Sequence, residues 1–258
     1  MDYQTLNLDI TDGVALVTLN RPDTMNALTQ QMRAEITDAV LYAGDNAGVV
    51  VLTGAGNAFC SGQDLGDGGS AATMDMERGL RDEYMPMIRA VRDCKVPTIS
   101  AVNGAAAGAG ANLALAADVV IASESAYFLQ AFSRIGLMPD AGGTYFLPRA
   151  MGAAKAMGAA LFAEKVTARQ ADEWGMIWEA VSDHQFESRW RTRAAHLANG
   201  PTRAYQGIKE ALNETWGNDW LAQMESEARL QGGLGKTRDF QEGLLAFLEK
   251  RPAKYEGR

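Results

Sequence analysis

Four short stretches carry residue types that could do chemistry, and each follows or includes a segment that reads as a strand. The first runs from Asn20-Arg21-Pro22 to Asn26-Ala27-Leu28, just before a helix. Loops at strand ends commonly carry ligands in α/β sheets, yet a proline turn with capping polar groups would explain the same residues. The second is Phe59-Cys60-Ser61-Gly62-Gln63-Asp64-Leu65. Glycine at 62 allows a turn that exposes the N–H of Gln63; the alternative is a loop in which Asp64 closes a local side-chain–backbone turn. Cys60 reads as a buried small hydrophobe rather than a nucleophile, because neither histidine lies near it in sequence. The third stretch, Ala101 to Leu113, joins a strand, a glycine turn and a small-residue helix start. That combination leaves free N–H groups at the positive end of a helix, and close helix–strand packing would require the same glycines. As a dinucleotide fingerprint it is weak, since Leu113 stands where the third glycine of G-x-G-x-x-G belongs, and no Walker A lysine follows. The fourth, Ile135 to Thr144, holds Asp140 after a proline and before two glycines. Asp140 is either an N-cap or a carboxylate desolvated among Leu, Met, Ala and Gly, with a raised pKa and improved basicity.

The elements that must position these residues read as α/β. YQTLNLDI and GVALVTLN alternate around Thr11-Asp12-Gly13, predicting a β-hairpin. Thr29 caps a helix to about Gly44, with Met32, Ile36, Ala39, Val40 and Ala43 on one face. VVVLTG is a short buried strand, and a helix follows from about Thr73 to Arg92. TISAVN and DVVIAS are further strands, wholly apolar in the manner of strands buried on both faces. After about Ala150 come small-residue helices, a cap at Thr167 and the strand-like IWEAV. Helices are then expected over 183–199, 201–215, 219–231 and 237–250, with thin apolar stripes that need a neighbour to pack on.

Composition narrows the function classes. The chain has 258 residues, long enough for one large domain or a core with a helical appendage. Two cysteines exclude a disulfide scaffold and favour a reducing, cytoplasmic setting. With only His184 and His196, no multi-Cys/His metal cluster is expected, and the site residues include no metal ligand. A net charge of −8 argues against nucleic acid or an anionic membrane as partner. The N-terminal residues lack the basic start and apolar run of a signal peptide. No run of apolar residues is long enough to span a bilayer.

In this order, N-R-P-x-x-x-N-A-L, F-C-S-G-Q-D-L, A-V-N-G-x-A-A-G-A-G and P-D-A-G-G-T resemble the crotonase (enoyl-CoA hydratase/isomerase) family, across essentially the whole chain. The resemblance implies a crotonase-like spiral of β-β-α turns with a C-terminal helical oligomerisation region, here a core over 1–200 and helices over 201–258. It implies a homotrimer or hexamer, an acyl-CoA thioester as ligand, and no separate cofactor, coenzyme A being part of the substrate. By similarity the thioester oxygen falls to the backbone N–H groups of Gln63 and Ala109. CoA falls near Met25, Ala27, Asp64 and Leu65, with Phe247 and Lys250 contributed by the last helix.

The departure from the family is at its acids. Hydratases of this family use two glutamates to hold and activate water; the matching positions are Asn112 and Phe132, and neither side chain titrates. Asp140 is then the remaining acid, and one carboxylate beside an enolate-stabilising pair suits isomerisation. The blocks F-S-R-I-G-L-M-P-D-A-G-G-T-Y-F-L-P-R, E-W-G-M-I-W and G-A-A-A-G-A-G-A-N-L-A-L are similar to the 1,2-epoxyphenylacetyl-CoA isomerase branch, which forms an oxepin-CoA in phenylacetate degradation and also shifts enoyl-CoA double bonds. A 2-enoyl-CoA hydratase and a non-catalytic CoA-thioester binding protein are the alternatives. Tyr84, Trp174 and Trp178 read either as walls of an acyl pocket or as core.

Overall fold

The computed structural model describes residues 2–66 and 75–257. β1 (Leu6–Thr11) and β2 (Val14–Leu19) form the expected antiparallel hairpin, Leu6 opposite Leu19. A 3₁₀ turn at Pro22–Thr24 leads to α1 (Gln30–Asn46), capped by the Thr29 side chain accepting from the Met32 N–H. β3 (Val49–Gly54) and β4 (Ala58–Cys60) precede α2 (Met76–Gly79), which passes through a π turn at Leu80–Tyr84 into α3 (Met85–Arg92). The sequence-based start of this helix at Thr73 lies outside the described residues, as does the end of the preceding loop. Pro86 accounts for the π turn, because proline has no N–H to donate and cannot continue regular α pairing.

β5 (Thr98–Val102), β6 (Ala105–Ala107) and α4 (Ala109–Leu115) follow, then β7 (Val119–Ser123), β8 (Tyr127–Leu129) and a 3₁₀ turn at Ala131–Ile135. α5 (Gly143–Phe162) is broken at Gly152. β9 (Val166–Thr167), α6 (Ala168–Glu173) with a full capping box on Thr167, β10 (Glu179–Val181) and α7 (Asp183–Ala198) complete the core. The chain ends in α8 (Thr202–Glu214), α9 (Trp220–Leu234) and α10 (Arg238–Glu249).

The strands form two sheets, in the orders β1-β2-β3-β5-β7-β10 and β4-β6-β8-β9. Three successive turns of chain each lay a strand in the large sheet, a shorter one in the small sheet, and then a helix. The wholly apolar strands have the expected cause. Val50 and Leu52 face the main core, while Val49, Val51, Ile99, Ala101 and Ile121 face Trp190 and Ala194 of α7. The small sheet was not expected from sequence: its strands are two or three residues long, too short to show a period.

That small sheet positions the site. β4, β6 and β8 run parallel, and their C-terminal ends release the segments at 61–65, 108–112 and 130–140 side by side. α4 docks against the end of β4 so closely that a Cβ on Gly110 would lie 2.3 Å from the Cys60 carbonyl oxygen. Gly110→Ala should therefore lower stability by about 1–3 kcal/mol through overpacking; an unchanged urea midpoint would contradict this packing.

Candidate active site

The loop before α1 is stitched to the loop after β4. Ser61 N–H donates to the Met25 carbonyl at 3.0 Å, Leu28 N–H to Gly62 O at 2.7 Å, and Asp64 N–H to Leu28 O at 3.1 Å. The ladder faces Leu28, so the N–H of Gln63 points the other way and meets no acceptor among the described residues. Two adjacent residues, Met25 (φ 52°) and Asn26 (φ 55°), are held in the left-handed region. Asn26 sustains the strain from a fully buried position: its Oδ1 accepts from Arg21 N–H, and its Nδ2 donates to Ala55 O and Ala58 O. Asn26 is thus an internal bracket, while Thr29 alone caps the helix.

Arg21 ties two of the sequence-derived CoA residues together. Its Nη1 donates to the Ala27 carbonyl at 2.6 Å and to the Asp64 carboxylate at 2.8 Å. The Arg21 hydrogen bond holds the Asp64 carboxyl below its ordinary range. Met25 and Leu65 flank this link and are exposed, as residues offered to a ligand would be.

α4 supplies the second donor. Gly108 adopts φ 52° and ψ −129° and no side chain caps the helix, so the Ala109 N–H, which meets no acceptor among the described residues, stays open. Gly62 (φ 93°) brings the two donors together: a Cβ there would lie 2.8 Å from Ala107 O and 3.4 Å from Ala109 N. Only glycine fits both that conformation and that gap.

Asp140 closes the ring of groups. Asn112, one turn along α4 from Ala109, donates from Nδ2 to the Asp140 backbone carbonyl at 2.8 Å. On the other side, Tyr84 donates its hydroxyl to Gln63 Oε1 at 2.5 Å, and burial, with a smaller contribution from the Asp140 charge, disfavours ionisation of its phenol. Asp140 Oδ1 is buried without a hydrogen-bond partner, and burial pushes the carboxyl from 3.8 up to about 6. The cap reading of Asp140 fails, because α5 begins after Gly142 with no side-chain cap. Asn112 and Phe132 are both buried, and Phe132 lies against Gly108. Chemically, the arrangement offers two free N–H donors for one oxygen and one desolvated base.

The other sequence-derived residues sort clearly. Burial pushes the Cys60 thiol up to about 12, which suits an inert core group. Of the three aromatics, only Tyr84 reaches the site; Trp178 is exposed, and Trp174 packs against the core beneath Lys155. Phe247 is 81% exposed and Lys250 is the C-cap of α10, and no hydrogen bond or ion pair among the described residues joins either side chain to Asp140. Polar contacts of α10 run to its own C-terminal tail, from Glu242 to Arg251 and Lys254 and from Asp239 to Glu256 and Gly257.

Sequence reasoning missed Arg33. It is buried in α1, paired with Glu83, and donates from Nη1 to Leu28 O at 2.8 Å and to the Tyr84 hydroxyl at 3.3 Å. It thereby steadies both the backbone ladder and the side-chain partner of Gln63. The signal was present: Arg33 shares the stripe of Ile36 and Val40, and a charge on a buried stripe needs a partner.

Residues 9–258 match the sequence profile described as Enoyl-CoA hydratase/isomerase. The chain is 57% identical over 258 residues, all of both chains, to the "Probable enoyl-CoA hydratase" of Rhodobacter capsulatus. It is 42% identical over 251 residues to the 1,2-epoxyphenylacetyl-CoA isomerase of Escherichia coli, covering 95% of this chain and 96% of that one. A solved enoyl-CoA hydratase from Bacillus anthracis superposes with a TM-score of 0.91 at 32% identity, covering 99% of this chain and 100% of that one.

Desolvation gives Asp140 a measurable pH signature. The folded carboxyl keeps its proton up to about 6, whereas an unfolded aspartate loses it near 3.8. Wild-type stability should therefore fall as pH rises through this window, where the folded state binds more protons. Asp140→Asn removes that loss, so melting curves should show a gap growing in the variant's favour between pH 4 and 7. A gap independent of pH would contradict the burial of this charge.

Proposed function

The chain belongs to the enoyl-CoA hydratase/isomerase family, and on that premise we propose that it is an acyl-CoA isomerase that uses Asp140 as its only proton carrier. The observation that carries this reading is the buried, partnerless carboxyl oxygen of Asp140 beside the open N–H groups of Gln63 and Ala109. The thioester oxygen sits between those two donors. Asp140 takes a proton from the carbon next to the thioester, and the electron pair moves into the carbonyl to form an enolate. Removing one donor from such a pair typically costs about 10²–10³ in rate. Asp140 then returns its proton to a carbon two positions further along the acyl chain, which moves a 3-ene to a 2-ene with no net gain or loss of atoms. A carboxyl near pKa 6 suits both halves, since it is neither too weak a base nor too weak an acid near neutral pH.

Ring-epoxidised phenylacetyl-CoA is the favoured acyl substrate, with 3-enoyl-CoA isomerisation as a second activity. The Escherichia coli relative of that name supports this choice. Support also comes from Asn112 and Phe132, at positions where the family resemblance puts a hydratase's glutamates. Coenzyme A lies along Met25, Ala27, Asp64 and Leu65, with Phe247 and Lys250 supplied by a helical oligomerisation region after residue 200. Exposed Trp220, Phe247 and Leu248 favour assembly as a homotrimer or hexamer. No helix of the described residues is long and apolar enough to cross a membrane.

A second reading, 2-enoyl-CoA hydration with Asp140 as the only acid, is favoured by the name of the Rhodobacter relative. One experiment separates the two: a 3-enoyl-CoA is followed in deuterated water by mass spectrometry and NMR, with wild type beside Asp140→Asn. Conversion to the 2-enoyl product without added oxygen, slowed by at least about 10²-fold in the variant, is expected for a lost general base. Accumulation of a 3-hydroxyacyl product would make the chain a hydratase.

A further inference from the structure

The Asp140 carboxylate is aimed by its backbone, since apart from its own N–H no described residue grips it. That backbone is unusual. The Asp140 carbonyl accepts the Gly143 N–H at 2.8 Å, closing a turn whose central residues, Ala141 (φ 46°) and Gly142 (φ 86°), are both left-handed. A left-handed alanine is disfavoured and persists only where its surroundings over-determine it. The surrounding group is Asn112, 0% exposed, whose Nδ2 donates to that same carbonyl. Asn112 is itself fixed, because its Oδ1 accepts from Gln130 Nε2 at 2.9 Å, and Gln130 is buried at the end of β8. The first residue of α5 packs directly onto the amide: a Cβ on Gly143 would lie 2.5 Å from Asn112 Nδ2.

We propose that Asn112, oriented by Gln130, is the positioning residue that aims the Asp140 carboxylate at the reacting carbon. The proposal rests on the proton-shuttle reading above. An amide is the right group chemically, since it donates to a carbonyl on one side and accepts from a second amide on the other. A carboxylate at 112 keeps the acceptor, loses the donor, and sets a second negative charge beside Asp140. The residue at this position thus selects between a hydrogen-bonded turn that carries one acid and a site with two.

The test is steady-state isomerisation of a short 3-enoyl-CoA by the full-length protein, for Asn112→Asp, Gln130→Met and Asp140→Asn. Asn112→Asp is nearly isosteric. It should lower kcat about 10²-fold, as a misaimed catalytic group does, while KM stays within about twofold. Its acidic limb of kcat against pH should move upward, because a like charge raises the Asp140 pKa. Gln130→Met leaves both partners in place and should lower kcat about tenfold by loosening the amide; it carries the test if Asn112→Asp does not fold. Wild-type kcat and an unmoved pH limb in the folded variants, with Asp140→Asn inactive, would overturn the positioning role and leave the shuttle standing. Full activity in Asp140→Asn would remove the shuttle, and this proposal with it.

Discussion

A carboxylate held out of water with no cation beside it is expensive, and the site is built around tolerating one. Asp140 has no ion pair among the described residues, and one of its oxygens has no hydrogen-bond partner. A protein usually lowers such a cost with an arginine or a capping helix. Here the hydrogen bonds reach its backbone instead: the Asn112 amide donates to the Asp140 carbonyl, which opens a left-handed turn. The cost is expressed as a raised pKa, which suits the proposed role of both taking and giving a proton. The surrounding scaffold has to be rigid enough that the turn does not relax and let the carboxylate reach solvent.

That rigidity comes from the two-sheet spiral. Three parallel strand ends of the small sheet deliver the Gln63 loop, the start of α4 and the Gln130–Asp140 segment side by side. Cross-links between segments far apart in sequence lock their relative positions. Arg21 joins Ala27 to Asp64, Arg33 joins Leu28 to Tyr84, and Asn112 joins Gln130 to Asp140. Each link adds a side-chain hydrogen bond between segments whose backbone groups are for the most part already paired, so it fixes their relative position. The donors at Gln63 and Ala109 are the exceptions, and they are open because their surroundings satisfy everything else.

Most of the frame was legible in the sequence because its signals are periodic. The hairpin, the Thr29 and Thr167 caps, the buried strands and the four late helices fell close to where alternation and capping residues placed them. The small sheet was not legible, since a three-residue strand has no period, and only the family resemblance, not the pattern of residues, joined the three site segments. For Asp140, local chemistry suggested a cap; only the tertiary placement of Asn112 and the left-handed turn shows that its side chain caps nothing. Arg33 was passed over because an arginine in a helix is ordinarily solvated, whereas here packing of α3 against α1 buries it. Phe247 is not part of the cluster's hydrogen-bonded frame, since α10 turns Leu244, Phe247 and Leu248 outward.

The fate of an isotope label tests the single-carboxylate account most directly. A 3-enoyl-CoA carrying deuterium at C2 would be converted in ordinary water, and the product examined by NMR within the first turnovers. A lone, desolvated carboxylate should carry part of the abstracted deuterium to C4 before exchange with solvent. Complete absence of deuterium at C4 from the first turnover, with a solvent proton there instead, would contradict a carboxyl that keeps the abstracted proton out of exchange with water until it is returned to the substrate.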